Sequence, residues 1–130
     1  MDPIANMLTQ IRNATMLKRA EVFVPHSRVK TAIAELLKEN GYLKAVDEVE
    51  NELGHKQLKL VLAYHDGASA IRSLRRISTP GLRVYAKATH IPRPRGGFGH
   101  IILSTPQGFM TGADAKKRSI GGEVICEVLS

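Results

Sequence analysis

Tryptophan is absent from this sequence, cysteine occurs once, and no apolar run reaches the roughly 18–20 residues that a membrane helix needs. A single cysteine cannot build an internal disulfide framework, so we expect a reducing, cytoplasmic compartment. Three tyrosines and three phenylalanines are too few for a broad base-stacking platform. Apolar residues still make up 43% of the 130 residues, which suffices for one compact domain or two small ones.

Acidic residues are missing altogether between Asp66 and Asp114. Residues 1–65 hold nine basic and eight acidic side chains, whereas residues 66–130 hold ten basic and four acidic ones, so most of the net charge of +7 lies in the second half. The acid-free interval contains seven cations: Arg72, Arg75, Arg76, Arg83, Lys87, Arg93 and Arg95. Such a stretch favours a polyanion, most commonly nucleic acid, as partner. A membrane surface is not expected, because these cations do not follow an amphipathic helix.

Groups of residues that could carry catalysis are also missing. The five histidines are scattered without metal-ligand spacing, and Asp66 and Asp114 are isolated from other carboxylates. Cys126 lies among valines in a predicted strand, which is typical of a packed thiol rather than a nucleophile. We therefore expect a binding protein with no enzymatic activity, no metal and no cofactor.

The first half of the chain predicts the element order α-β-α-β-β, a small α+β unit. Asp2-Pro3 is a typical helix start, and Ser27 can cap a second helix that ends near Asn40-Gly41. Strands are predicted at Val22–Pro25, Leu43–Val49 and Lys56–Tyr64. The turn-forming residues 66–69 and the change in charge balance predict a boundary between domains 1–66 and 67–130.

The second half predicts a strand-rich domain with one short helix. Residues 71–77 fit either an extended segment or a helix, and Thr111 is expected to cap the short helix. The final strand is predicted over residues 123–129. Its alternation assigns two faces: Val124, Cys126 and Val128 on one, Glu123, Ile125 and Glu127 on the other.

Arg28 and Lys30 fall in the first turn of the predicted second helix, where the helix dipole disfavours cations. A position that breaks a local rule is a candidate functional site, and helix N-terminal amides with two cations would hold a phosphate. The alternative is that both side chains are simply solvated and carry a small energetic penalty.

The stretch from Ser104 to Thr111 follows the apolar run Ile101-Ile102-Leu103 and contains a proline and a glycine that force a turn. Ser and Thr hydroxyls donate and accept hydrogen bonds, so this turn could contact base edges and ribose hydroxyls. The alternative is that the hydroxyls satisfy the backbone of the turn itself.

Several motifs in this sequence resemble those of the small-subunit ribosomal protein S8 family, bacterial type. They occur in family order along nearly the whole chain, at Asp2–Asn13, Arg75–Tyr85, Gly96–Gly99, Ser104–Thr111 and Gly121–Cys126. The resemblance implies two small α+β domains packed together. It also implies a structural ribosomal protein that binds the central domain of small-subunit ribosomal RNA at an irregular, bulged stem and aids assembly. Neighbouring ribosomal proteins and its own messenger RNA are further implied partners.

The resemblance assigns RNA contacts to the Ser104–Thr111 stretch. Ser104 and Thr105 would read bases and sugars at the distortion, and Gly108 and Thr111 would shape the turn. Pro106 stands where many relatives have a serine, so the hydroxyl contact implied there has no hydroxyl to make it, and the alternative role for Pro106 is to pre-organise the turn.

Further RNA-binding residues are implied on both sides of that stretch. Gly122 and Glu123 would lie beside the turn, Arg83 and Lys87 would neutralise phosphate, and Tyr85 would pack on a ribose or base. The alternative for Tyr85 is a strand residue packed on the core.

In the first half, the resemblance implies that Lys30 and Lys56 touch the opposite RNA strand, near the phosphate contact considered for Arg28. Two other classes of function stay open at this point. One is a free-standing RNA-binding translational regulator or RNA chaperone, and the other is an RNA-processing enzyme, for which the sequence offers no catalytic residues.

Overall fold

A computed structural model describes residues 2–130 and contains three helices and ten strands within that range. This confirms the predicted α+β class. The chain divides into two compact units, one formed by Pro3–Ile71 and the other by Asp2 together with Arg72–Ser130.

The first five elements of this unit follow the predicted order, α1 (Pro3–Met16), β1 (Glu21–Pro25), α2 (Arg28–Glu39), β2 (Leu43–Glu50) and β3 (Lys56–Leu62). The strand predicted to reach Tyr64 ends at Leu62, and two short strands that were not predicted follow it, β4 (Tyr64–His65) and β5 (Ala68–Ser69). The first three strands form an antiparallel sheet in the order β1-β3-β2, and β4 and β5 form a small hairpin. Apolar residues of both helices, among them Leu8, Ile11, Ile33 and Leu37, are almost fully buried. Each helix therefore buries one apolar stripe in the core of this unit.

The second unit consists mainly of strands. Its elements are β6 (Ser73–Arg76), β7 (Tyr85–Ala86), β8 (Gly99–Thr105), β9 (Gly108–Thr111), α3 (Gly112–Lys117) and β10 (Gly122–Leu129). The sheet order is β6-β10-β8-β9, with β7 paired to the start of β10. The segment that could have been helical is thus extended, because β6 completes the sheet along β10.

A β-bulge in β10 overturns the predicted alternation of its faces. Val124 pairs with Leu103 and Cys126 pairs with Ile102, so a step of two residues along β10 matches a step of one residue along β8. Directly paired residues share a face, so Glu127, opposite Ile101, lies on the same face as Val124. The expectation that Val124 shares its face with Cys126 was wrong.

The face that carries Val124 packs into a hydrophobic core cluster of this unit. Val124, Ile101, Leu103, Met110 and Ala115 form one buried apolar cluster.

Within residues 2–130, no helix is long and apolar enough to cross a membrane, and no group of three or more His, Cys, Asp or Glu side chains could hold a metal ion.

Candidate nucleic-acid interface

The β8–β9 hairpin ends in a two-residue turn, Pro106-Gln107, because Thr105 pairs with Gly108. The Thr105 hydroxyl donates to the Gly108 carbonyl at 2.7 Å and accepts from the Gln107 N–H at 3.1 Å. Thr105 is also buried. Its hydroxyl therefore organises the turn and keeps one free lone pair for an outside donor.

Ser104, the preceding residue, is differently placed. Its side chain is half-buried, and its hydroxyl makes no hydrogen bond to any residue in the range 2–130. It pairs with Glu123 on β10 and with Phe109 on β9. Of the two adjacent hydroxyls, Ser104 is the one whose donor and acceptor sites are both left to a ligand.

Gly121 and Gly122 bring backbone segments unusually close on one side of this turn. A Cβ at Gly122 would lie 2.2 Å from the Ser104 carbonyl oxygen, and a Cβ at Gly121 would lie 2.4 Å from the Ala86 oxygen. Any side chain at either position would collide with backbone atoms that cannot rotate away. The glycine pair therefore sets how closely β10 approaches the strands on both sides.

These features create a shallow depression of about 430 Å³ on the surface of the second unit, which we call the Ser104 depression. Its wall and floor comprise Tyr85, Ala86, Ser104, Thr105, Pro106, Gly121, Gly122 and Glu123. Tyr85 is 71% exposed, so its ring faces solvent rather than the core. The structure thus brings together five residues of the predicted site: Tyr85, Ser104, Thr105, Gly122 and Glu123.

The Glu123 carboxylate is held by two donors. It accepts from the Ser78 hydroxyl and from Arg83 Nη1 at 2.9 Å, and Ser78 itself accepts from the Val84 N–H at 3.1 Å. Burial raises the pKa of Glu123, but the hydrogen bonds from Ser78 and Arg83 and the nearby positive charges outweigh it, so that the net pKa is lowered. The carboxylate is ionised and charge-paired at neutral pH, which limits its repulsion of phosphate.

Arg83 and Lys87 provide positive charge on the strand segment that carries Tyr85. Both side chains are exposed, and Arg83 remains half-exposed while it pairs with Glu123. Arg118, which the sequence did not single out, lies beside the turn and donates to the Gln107 side-chain oxygen at 3.4 Å. Only this contact marks Arg118 as a candidate site residue, since a cation at the end of a short helix gives no signal of a binding role in the sequence.

Two predicted residues of the hairpin have structural roles. Thr111 is buried and caps α3, with its hydroxyl accepting from the Asp114 N–H at 3.3 Å. Gly108 has a φ of +107°, a conformation that a side chain rarely tolerates. Gly108 therefore shapes the end of the hairpin, whereas the Thr111 hydroxyl serves α3, and neither residue lines the depression.

The three predicted cations of the first unit differ from one another. Lys30 is only 8% exposed, and its ammonium donates to the Pro25 carbonyl at 3.4 Å. Lys56 is exposed and pairs with Glu48 at 3.5 Å. Arg28 is exposed and forms no ion pair within residues 2–130. Of the three cations, Arg28 is therefore the one most available to a ligand.

Comparison with known proteins matches this chain to one family. The family model of ribosomal protein S8 covers residues 2–129. The chain belongs to the ribosomal protein S8 family.

Individual relatives are similar over almost their entire length. Small ribosomal subunit protein uS8 of Acidithiobacillus ferrooxidans is 52% identical over 128 residues, which is 98% of this chain and 96% of the relative. The uS8 proteins of Sorangium cellulosum and Paracoccus denitrificans are 50% and 45% identical, over 98% of this chain and 97% and 96% of their own lengths. Ribosomal protein S8 is a structural ribosomal protein family and not a family of enzymes.

The only cysteine fits this non-enzymatic family. Cys126 is fully buried in β10, and burial raises the pKa of its thiol to about 12. A thiol with so high a pKa carries almost no thiolate at neutral pH and is a poor nucleophile.

Proposed function

We propose that this S8 family member is a structural constituent of the small ribosomal subunit in the cytoplasm. In this proposal it binds the central domain of small-subunit ribosomal RNA at an irregular, bulged stem and aids assembly of that region, beside neighbouring ribosomal proteins. The observation that carries the proposal is the Ser104 depression, which joins a free hydroxyl, an exposed tyrosine ring and an open glycine floor.

The geometry of the depression favours a distorted RNA over a regular helix. A-form RNA hides its major-groove base edges, whereas bulged nucleotides present edges, ribose hydroxyls and flat faces. The Ser104 hydroxyl can bond to a base edge or a 2′-hydroxyl, and the Tyr85 ring can stack on a base or sugar. The Gly121-Gly122 floor has no side chains to hold a backbone away.

Positive charge supplies the remaining affinity without sequence preference. Lys87 and Arg118 are exposed near the depression, whereas Arg83 already neutralises Glu123. Phosphate contacts by such cations release counterions and weaken as salt rises. Base and sugar contacts at Ser104 would persist, so the two contributions can be separated experimentally.

The test is a binding titration at several salt concentrations, with the bulged central-domain stem and a fully paired stem of equal length. Ser104→Ala is expected to cost about 1–3 kcal/mol of binding free energy on the bulged stem and little on the paired stem. Ser73→Ala is the matched control, because Ser73 is another half-buried strand serine of the same unit and does not line the depression.

Equal losses on both RNAs would reject a selective role for Ser104. Equal binding of the wild-type chain to both stems, collapsing as salt rises, would reject recognition of the irregular stem altogether. A stem from the chain's own messenger RNA is a candidate second ligand of the depression, and the same titration tests it. Failure to cofractionate with ribosomes would instead favour a free-standing RNA-binding regulator.

A further inference from the structure

A second concave site lies in the same unit, in front of strand β8. It encloses about 220 Å³ and is lined mainly by the apolar groups of Ile91, Pro92, Pro94, Ile101, Gly112 and Ala113. Two cations, Arg93 and Lys116, contribute to its rim. None of these residues lines the Ser104 depression.

The loop that carries Arg93 is held in place by a buried carboxylate. Glu127 is 1% exposed, and its two oxygens accept from the Arg95 backbone N–H at 3.0 Å and from Arg95 Nε at 3.2 Å. Arg75 lies 3.5 Å from the same carboxylate. Burial of a charge is costly unless it is paired and hydrogen-bonded. Movement of the loop would break the hydrogen bonds of the buried Glu127 carboxylate, so this arrangement holds the loop in place.

The two cations on the rim are available to a ligand. Arg93 and Lys116 are exposed, and neither forms an ion pair within residues 2–130. Arg93 lies inside the acid-free interval that ends at Asp114. An apolar recess between unpaired cations is complementary to a flat base that is flanked by phosphates.

We propose that this recess receives one unstacked RNA nucleoside, with Arg93 and Lys116 contacting its flanking phosphates. The inference rests on the RNA-binding function proposed above and adds a second contact to it. Glu127 acts here as a positioning residue, because it holds the Arg95 backbone that fixes the Arg93 loop. A fixed loop loses less conformational freedom on binding than a flexible one.

The first test uses the full chain labelled with ¹⁵N and an unstructured single-stranded RNA hexanucleotide. Saturable shifts of the amide signals of Arg93, His100, Ile101 and Gly112 are expected. Absence of such shifts overturns the proposal. An acidic peptide with one aromatic residue serves as competitor, and tighter binding of that peptide at the same amides would overturn it in favour of a protein partner.

Variants then separate charge from cavity. Arg93→Ala combined with Lys116→Ala should make the slope of log K against log salt shallower by about 1.4, the value for two phosphate contacts on single-stranded RNA. The control, Lys38→Ala with Lys44→Ala, removes the same charge from exposed positions of the first unit and should leave the slope unchanged. An equal change in both double variants would overturn the phosphate contacts.

Ala113→Phe fills the recess without changing the charge. It should abolish the saturable shifts of His100, Ile101 and Gly112, whereas the salt dependence of residual binding, which comes from Arg93 and Lys116, should stay unaltered. Unchanged shifts of these three amides would overturn the proposal. Ser104→Ala should leave hexanucleotide binding to the recess unchanged, whereas it weakens binding of the bulged stem. Binding of the hexanucleotide to the recess and recognition of the bulged stem can therefore fail independently, and the two failures are distinguishable.

Discussion

Gly122→Ala tests whether the close approach of β10 to β8 forms the depression. The added Cβ would lie 2.2 Å from the Ser104 carbonyl oxygen, 3.0 Å from its carbonyl carbon and 3.1 Å from Thr105 Cα. All three are backbone atoms in a paired strand, so no side-chain rotation relieves the overlap. The two strands must separate locally by about 1 Å to reach ordinary van der Waals contact.

The cost can be worked out from two contributions. Overpacking of this kind costs about 1–3 kcal/mol, and a weakened ladder hydrogen bond beside Ser104 adds about 0.5–1.5 kcal/mol. We therefore expect Gly122→Ala to lower the free energy of unfolding by about 2–4 kcal/mol. Because Ser104 moves with its strand, preference for the bulged over the paired stem should also fall.

The measurement is urea unfolding of the wild-type chain and the variant, followed by the two-stem titration. Gly81→Ala is the matched control, because no atom lies within 4 Å of its added Cβ and its φ is not positive. The control should change stability by less than about 1 kcal/mol. If Gly122→Ala proved as stable as Gly81→Ala, close approach of β10 to β8 would not be what requires glycine at position 122.

Three further predictions follow from burial and charge. Arg28→Ala should leave stability unchanged but make the slope of log K against log salt for RNA binding shallower by about 0.7–0.9. Lys30→Ala should lower stability in urea and leave that slope unchanged. The reverse pattern would contradict the assignment of Arg28 as the exposed cation and Lys30 as the buried one. Burial raises the pKa of Glu127, but hydrogen bonds from Arg95 and nearby positive charge outweigh it and lower the pKa below its ordinary value of 4.5. The contribution of Glu127 to the free energy of unfolding is therefore present above pH 4.5 and lost as the pH falls through the lowered pKa. Glu127→Gln should be less stable than the wild-type chain at pH 7, and its free energy of unfolding should fall less on acidification. Urea unfolding at neutral and acidic pH measures both effects. Cys126 should resist a thiol reagent at pH 8 until urea unfolds the chain, and rapid modification of the native protein would contradict its burial.

Local patterns in the sequence determined much of the architecture. The apolar stripe of α1, the Ser27 cap of α2 and the Pro106 turn depend on neighbours within a few residues, so they could be predicted without tertiary information. The acid-free interval likewise indicated a polyanion partner from composition alone.

Contacts that only the folded chain makes decided the rest. The bulge in β10 depends on its pairing with β8, and it turns Glu127 to the face of Val124, where Arg75 and Arg95 meet its carboxylate from distant parts of the chain. Thr105 and Ser104 look equivalent in the sequence, yet the turn engages only the Thr105 hydroxyl.

The same distinction applies to the basic residues. In the sequence Lys30 and Arg28 are equivalent cations. In the structure Lys30 is buried, with its ammonium hydrogen-bonded to the Pro25 carbonyl, whereas Arg28 is exposed. Composition and periodicity therefore determined the elements and the sign of the charge. Which hydroxyls and cations remain free for a ligand was decided by the folded geometry, because hydrogen bonding and burial depend on where the folded backbone places each group, within a turn for Thr105 and between distant segments for Glu127.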